Sequence, residues 1–156
     1  MKNLLMKVAV TLLFTFYGSN SYADTPKSEQ SKAEQIVVEF YQHVFEQRGD
    51  VKAIAEKHLH PEYIQHNPYV ATGREAFIKA VGGWIKSWPK TQIMKIKRVF
   101  TDGDFVILHV HSYDTSKDEK GKAGVDIFRV EDGKIMEHWD VWQKIPESMP
   151  HKNGMI

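Results

Sequence analysis

Two Asp-Gly pairs in the second half of the chain constrain its fold more than any other feature. Asp102-Gly103 and Asp132-Gly133 each lie between two runs that are rich in β-branched and aromatic residues. An Asp-Gly pair between such runs is a strong signal for a tight β-hairpin. The sequence therefore predicts two hairpins, whose four antiparallel strands cover residues 92–100, 104–112, 123–130 and 135–142.

Helical patterns precede these strands. Ser31 and Glu34 have the spacing of a capping box, and the apolar residues that follow recur at helical intervals until Gly49. Asp50 can then cap a short second helix that ends near His58. The domain is therefore predicted to begin with two helices.

A third helix is predicted from Gly73 to about Lys86, with its apolar residues on one face. The preceding segment, 60–68, contains Pro61 and Pro68, which forbid a helix, so it is interpreted as an extended segment or a loop. Helices first and an antiparallel sheet second define an α+β fold. A curved sheet with helices across its concave face would enclose a cavity.

The first 23 residues have the pattern of a secretory signal peptide. Lys2 and Lys7 form a positive start, residues 8–16 are apolar, and Ser21 and Ala23 place small residues where a signal peptidase reads. This apolar run is too short to span a membrane, which takes about 20 residues. We therefore expect cleavage after Ala23 and a periplasmic or secreted protein, with no membrane association after cleavage.

The remaining chain is predicted to be a mobile leader, residues 24–30, followed by one domain, residues 31–156. With 42% hydrophobic and 26% charged residues, the composition is that of a globular domain rather than a disordered chain. Lys+Arg 21 against Asp+Glu 20 leaves no basic excess, which argues against nucleic acid as a partner. The absence of cysteine excludes disulfides, thiolate nucleophiles and cysteine-ligated metals.

The loop of the second hairpin determines which polar side chains meet. A three-residue loop, with Gly133 in the left-handed position, places Asp126 opposite His138 and puts Asp140 on the same side. A two-residue loop would instead pair Asp126 with Trp139 and separate the aspartate from the histidine. The glycine at the third loop position favours the three-residue loop. An aspartate beside an imidazole is an acid–base pair, because the carboxylate fixes the tautomer and stabilises the imidazolium.

The first hairpin carries two histidines on one strand face. His109 and His111 share that face with Phe105 and Ile107, whereas the opposite face carries three aliphatic residues. On this pattern either face can point inward. If the sheet closes around the helices, five polar candidates converge, with His111 at the rim: His66, His109, Asp126, His138 and Asp140.

Aromatic residues are numerous enough to wall a pocket for a flat organic ligand. A carboxylate walled by aromatic rings has its ionised form disfavoured, which makes it a better base toward a carbon acid. The expected wall residues are Tyr63, Tyr69, Trp84, Trp88, Phe128, Trp139 and Trp142.

Two motifs stand out in this chain. The first is Tyr-Ile-Gln-His-Asn-Pro at 63–68, followed by Gly73 and Phe77. The second runs Asp-Ile-Phe-Arg-Val at 126–130, Gly-Lys-Ile at 133–135 and Glu-His-Trp-Asp-Val at 137–141. Together they resemble the SnoaL-like polyketide cyclase family of the nuclear transport factor 2-like superfamily, over nearly the whole mature chain. The resemblance implies a cone-shaped curved antiparallel sheet wrapped around three N-terminal helices, an internal pocket and a homodimer formed through the sheet.

The resemblance also implies roles for residues. In that family an aspartate of the Glu-His-Trp-Asp motif is the acid–base group of an aldol ring closure, and the matching residue here is Asp140. The chain departs from the family at Asp126, where the cyclases carry a histidine. We therefore expect a cofactor-independent enzyme that moves a proton on a carbonyl substrate, in an aldol-type, isomerase or lyase reaction. Asp140 would be the general base, tuned by His138 and Asp126, while His66 and Asn67 would hydrogen-bond the oxyanion.

Two other functions stay open at this point. One is a non-catalytic binding module for an apolar or aromatic ligand. The other is a metal protein ligated by His109 and His111, because alternate strand residues face one way and neutral imidazoles suit zinc, copper or nickel. In the enzyme or the binding module, contacts with the small molecule are expected from Tyr63, Asn67, Trp84, His109, Phe128 and Trp142.

Overall fold

The helices begin and end close to where the sequence predicts. The computed structural model describes residues 31–117 and 119–156, so the predicted signal peptide (1–23) and leader (24–30) lie outside the described residues. Ser31 caps the first helix by accepting a hydrogen bond from the Glu34 N–H, and Asp50 caps the second. No helix among the described residues has the length and apolar character needed to cross a membrane. The helical segments are α1 (Lys32–Tyr41), a π-helical turn (Gln42–Glu46), α2 (Val51–His58) and α3 (Arg74–Ser87).

The described part of the chain forms one sheet of five strands. Their order across the sheet is β1-β5-β4-β3-β2, and β2 to β5 form successive antiparallel pairs, which confirms the two predicted hairpins. The strands are β1 (Leu59–Gln65), β2 (Gln92–Asp102), β3 (Phe105–Asp114), β4 (Lys122–Glu131) and β5 (Lys134–Lys144).

Strand β1 is the segment that the sequence left open between an extended conformation and a loop. It pairs in parallel with β5, so that Gln65 lies beside His138. Pro61 is tolerated because β1 is an edge strand, where one side of the backbone needs no partner. The α+β prediction is confirmed, with a mixed sheet in place of a purely antiparallel one.

The inner face of the sheet packs against the helices. Val106, Leu108 and Val110 of β3 are fully buried there, in one hydrophobic cluster with α1 residues such as Val37 and Phe40. The aliphatic face of β3 therefore points inward. The histidine-bearing face points outward.

Candidate functional site

The turn of the second hairpin has two residues rather than three. Asp132 and Gly133 both have positive φ, 49° and 75°, which is the type I′ geometry that Asp-Gly favours. Glu131 consequently pairs with Lys134. The predicted three-residue loop, and with it the predicted pairing of Asp126 with His138, is wrong.

A β-bulge in β5 nevertheless brings the polar side chains together. The pairing of β4 with β5 skips Met136, which is the extra residue of the bulge. One extra residue reverses the alternation of side chains beyond it. As a result Asp126 lies opposite Asp140 and Phe128 opposite His138. All four side chains line the same cavity on the inner face.

Asp126 and His138 form a buried pair. Nε2 of His138 lies 3.1 Å from Oδ1 of Asp126, a diagonal contact between neighbouring strands. The hydroxyl of Tyr41, at the end of α1, donates a hydrogen bond to Oδ2 of Asp126 at 3.3 Å. Asp126 is 4% exposed and His138 is 7% exposed. The carboxyl group of Asp126 is thus shielded from water and makes two hydrogen bonds within the protein instead.

Gln65 of β1 constrains the protonation of His138. Its Oε1 accepts a hydrogen bond from the Asn67 N–H at 2.9 Å, which identifies this atom as the amide oxygen. The same oxygen lies 2.9 Å from Nδ1 of His138, so Nδ1 carries a hydrogen. A proton must also lie between Nε2 and Asp126, because two lone pairs would repel each other. The pair therefore shares one proton, as imidazolium with carboxylate or as neutral imidazole with carboxylic acid.

Burial favours the protonated forms of the groups around this pair. Removal from water raises the pKa of Asp126 above its ordinary value, although the hydrogen bonds from His138 and Tyr41 oppose the shift. Burial, and then the charge of Asp126, raise the pKa of Tyr41 and the pKa of Tyr63 well above the usual phenol value. Both phenols stay protonated at neutral pH and can donate hydrogen bonds.

Asp140 is the more accessible of the two carboxylates. It is partly exposed, whereas Asp126 is buried. Nδ2 of Asn67 lies 2.9 Å and 2.7 Å from the two oxygens of Asp140. Asn67 is itself fixed, because its Oδ1 accepts a hydrogen bond from the Tyr69 N–H at 2.9 Å. The loop after β1 thus orients the Asp140 carboxylate at the cavity surface.

These groups line a cavity of about 430 Å³, a volume suited to a small organic molecule. Half of the lining residues are aromatic. Among the polar groups, the Tyr63 hydroxyl accepts a hydrogen bond from Gln65 Nε2 at 3.0 Å, and its own hydrogen has no acceptor among the described residues. The aromatic wall includes six of the residues expected from the sequence: Tyr63, Tyr69, Trp84, Trp88, Phe128 and Trp142.

His66 does not line the cavity. Its Nε2 lies 2.8 Å from Glu137, and its ring stacks on Trp139 with the centroids 4.6 Å apart. Trp139 pairs with Ile127 and so lies on the outer face of the sheet. The expectations that His66 binds the oxyanion and that Trp139 walls the pocket are therefore not supported by their positions.

His109 and His111 also lie away from the cavity, on the outer face of β3. Nδ1 of His109 lies 2.9 Å from Nη1 of Arg98, and Nε2 of His111 lies 2.8 Å from the Lys120 carbonyl oxygen. The placement of His109 in the cavity was wrong because the aliphatic face of β3 takes the inward position. Among the described residues, no third ligand group gathers around these two histidines.

Sequence reasoning missed Tyr41 and Gln65. Tyr41 belongs to an apolar helical stripe and was indistinguishable from packing residues. Gln65 could have been found by treating the first motif as a strand. Alternation then places Tyr63, Gln65 and Asn67 on one side and His66 on the other.

One group of cavity side chains has the spacing for a metal ion. Single ligand atoms of Asp126, His138 and Asp140 lie within 4.8 Å of one another. Each of these side chains already has a hydrogen-bond partner, so an ion would have to displace the contact between Asp126 and His138.

Several solved structures share this fold. TsrD from Streptomyces laurentii has 21% identity and a TM-score of 0.59, and the match covers 74% of this chain and 91% of TsrD. A candidate polyketide cyclase from Acidithiobacillus ferrooxidans has 21% identity and a TM-score of 0.60, with coverage of 74% and 90%. A candidate ketosteroid isomerase from Kribbella flavida has 19% identity and a TM-score of 0.59, with coverage of 80% and 87%. At these identities the likeness establishes the fold alone.

The family assignment comes from the sequence profile. No curated protein matches the chain. The profile described as SnoaL-like polyketide cyclase matches residues 35–147, a span that contains the bulged hairpin and the whole hydrogen-bonded network from Tyr41 to Asp140. The chain therefore belongs to the SnoaL-like polyketide cyclase family.

Proposed function

We propose that this protein is a cofactor-independent enzyme that moves a proton on a carbonyl-containing small molecule. The observation that carries the proposal is the cavity itself. An accessible carboxylate, Asp140, and a buried pair with a shared proton, Asp126 and His138, face the same aromatic enclosure. Enolisation requires a base that removes the proton from carbon and a hydrogen-bond donor that stabilises the carbonyl oxygen of the same substrate.

Asp140 acts as the general base in this proposal. It removes a proton from the carbon next to the carbonyl group, and the electron pair moves onto the carbonyl oxygen to give an enolate. Asn67 orients the carboxylate through contacts to both of its oxygens. Returning the proton at another carbon completes an isomerisation, whereas attack of the enolate on a second carbonyl group completes an aldol reaction. Expulsion of a neighbouring leaving group would make the reaction a lyase reaction.

Tyr63 is the donor we assign to the enolate oxygen. The Tyr63 hydroxyl lines the cavity with its hydrogen uncommitted among the described residues. Asp126 is not a second donor, because its shared proton lies toward His138 and its other oxygen accepts a hydrogen bond from Tyr41. Tyr63 replaces His66 and Asn67 in that role, because His66 lies outside the cavity and Asn67 Nδ2 is engaged by Asp140.

The test measures deuterium incorporation next to the carbonyl group for a panel of aromatic ketones and enones in deuterated water. We expect exchange with the wild type and a rate lower by about 100-fold or more in Asp140→Asn. Tyr63→Phe should also lose rate, by roughly 100-fold, if its hydroxyl binds the oxyanion. His66→Ala serves as the matched control and should retain the wild-type rate.

The same experiment separates the enzyme from a binding module. Tight binding of panel members with no exchange in the wild type would favour the non-catalytic alternative, for which the aromatic wall is equally suited. Full activity of Asp140→Asn would contradict the assignment of the base.

We further propose that the protein is exported and forms a homodimer. The pattern of residues 1–23 supports cleavage after Ala23, so intact-mass measurement of protein from the periplasm or medium should give a chain that begins at Asp24.

The outer face of the sheet supports the dimer, because Val141 is 74% exposed and Val125 is 39% exposed there.

A further inference from the structure

A second cluster of potential ligand groups lies outside the cavity, where α1, the π-helical turn and α2 meet. Glu39 comes from α1, His43 from the π-helical turn and His58 from the end of α2. Oε1 of Glu39 lies 3.9 Å from Nδ1 of His43 and 3.8 Å from Nε2 of His58. All three ligand atoms lie within 4.8 Å of one another.

His58 points an unpartnered nitrogen into this cluster. Its side chain is 5% exposed. Its Nε2 is buried and has no hydrogen-bond partner among the described residues. Leaving such a group unpaired costs about 1–3 kcal/mol, so an orphaned nitrogen aimed at a carboxylate and a second imidazole needs an explanation.

We propose that Glu39, His43 and His58 bind one divalent transition-metal ion, with zinc as the best match. Two imidazoles and one carboxylate are a common zinc ligand set. Bond lengths of about 2.0–2.2 Å place tetrahedral ligand atoms about 3.3 Å apart, so the two separations from Glu39 must shorten by roughly half an ångström. Glu39 and His43 are partly exposed and can make this adjustment by side-chain rotation.

The states of His58 and Glu39 fit this proposal. Burial lowers the pKa of His58, which favours the neutral imidazole that binds metals. A hydrogen bond from Lys57 lowers the pKa of Glu39 and keeps it ionised. The ammonium of Lys57 contacts the Glu39 carboxylate that a metal ion would bind. The Lys57 side chain is exposed, so it can rotate into solvent when the metal ion binds.

The backbone holds His43 in place. Its carbonyl oxygen accepts a hydrogen bond from the Gly49 N–H at 2.9 Å, which ties the π-helical turn to the residues just before α2. Such turns are rare and are often found at functional sites. Because three protein ligands leave the fourth coordination position free and two of the ligands are partly exposed, that position faces solvent. The ion also links three helical segments, so binding should stabilise the fold.

The test uses mature protein that has been treated with a chelator and dialysed. Calorimetric titration with zinc should give one ion per chain, and cobalt should give the visible absorption of a tetrahedral site. We expect His43→Ala and Glu39→Gln to weaken zinc binding by more than about 100-fold, since loss of even an outer-shell partner costs about 10–100-fold. Both residues are partly exposed, so these variants should fold.

Two further variants sharpen the test. Lys57→Gln should bind zinc more tightly than the wild type, because the competing ammonium is gone. His151→Ala, which removes an exposed histidine elsewhere, should bind as the wild type does. Retained binding in His43→Ala would overturn the proposal, and so would loss of binding in His138→Ala, because the ion would then lie in the cavity.

Discussion

At the scale of single residues, the positions of the protons on His138 determine how the site is hydrogen-bonded. Gln65 forces a hydrogen onto Nδ1 of His138, and the remaining proton is shared between Nε2 and Asp126. Tyr41 adds a third hydrogen bond to the same network. The sequence paired the aspartate with the histidine through a three-residue hairpin loop that is wrong, and the bulge in β5 restores their contact. The sequence did not predict Tyr41, because a tyrosine in an apolar helical stripe gives no signal of a polar partner.

The hydroxyl of Tyr41 should hold the pKa of Asp126 down. A hydrogen bond to the carboxylate stabilises the charged form, which opposes the upward shift caused by burial. We therefore expect Tyr41→Phe to raise the pKa of Asp126 further. The measurement is an NMR titration of the carboxyl carbon of Asp126, which should move at a higher pH in the variant. Tyr63→Phe is the control with no hydrogen bond to Asp126, and a lower pKa in Tyr41→Phe would show that the contact is wrong.

At the scale of elements, the two Asp-Gly hairpins were predictable and the register of the second was not. Local turn chemistry identifies a hairpin, but the bulge at Met136 depends on how β5 must bend to follow β4 around the helices. The parallel pairing of β1 was hidden for a similar reason. Pro61 within it and Pro68 just after it argue against regular structure locally, and the free edge of β5 provides a place for it.

Gly124 of β4 is a packing requirement of this sheet. A methyl group at that position would lie 2.7 Å from three ring atoms of Trp142, which lines the cavity. We expect Gly124→Ala to displace the indole, to destabilise the fold by about 1–3 kcal/mol and to weaken ligand binding. Chemical denaturation and ligand titration measure both effects.

Gly82 of α3 provides the matched control. A methyl group there meets no atom within 4 Å. Because alanine is favoured over glycine inside a helix, Gly82→Ala should stabilise the protein by up to about 1 kcal/mol. If Gly124→Ala were as stable as Gly82→Ala, the close contact with Trp142 would not exist.

At the scale of the whole molecule, the α+β class and the helix-lined cavity followed from the order of elements. The assignment of the two faces of the sheet did not, because β3 has an apolar set on one side and histidines with apolar neighbours on the other. Packing against α1 decided between them by taking the purely aliphatic face. The outward face, with Val125 and Val141, is the surface through which the proposed dimer would form.

The proposed dimer can be broken without touching the cavity. Val141 is exposed on the outer face, so a charge there would have to be buried in a dimer formed through the sheet. We expect Val141→Lys to be a folded monomer by sedimentation, whereas Val141→Thr stays dimeric. A wild-type chain that sediments as a monomer would contradict this assembly.

The central claim is that the cavity stabilises an oxyanion opposite an aspartate base. Phenolates mimic a planar enolate, so their affinity tests this claim without knowledge of the natural substrate. In Asp140→Asn the negative charge that faces the ligand is removed. A phenolate should then bind at least about tenfold more tightly than to the wild type, while the matching neutral methyl ether binds both proteins alike. Equal or weaker phenolate binding to Asp140→Asn would contradict the account.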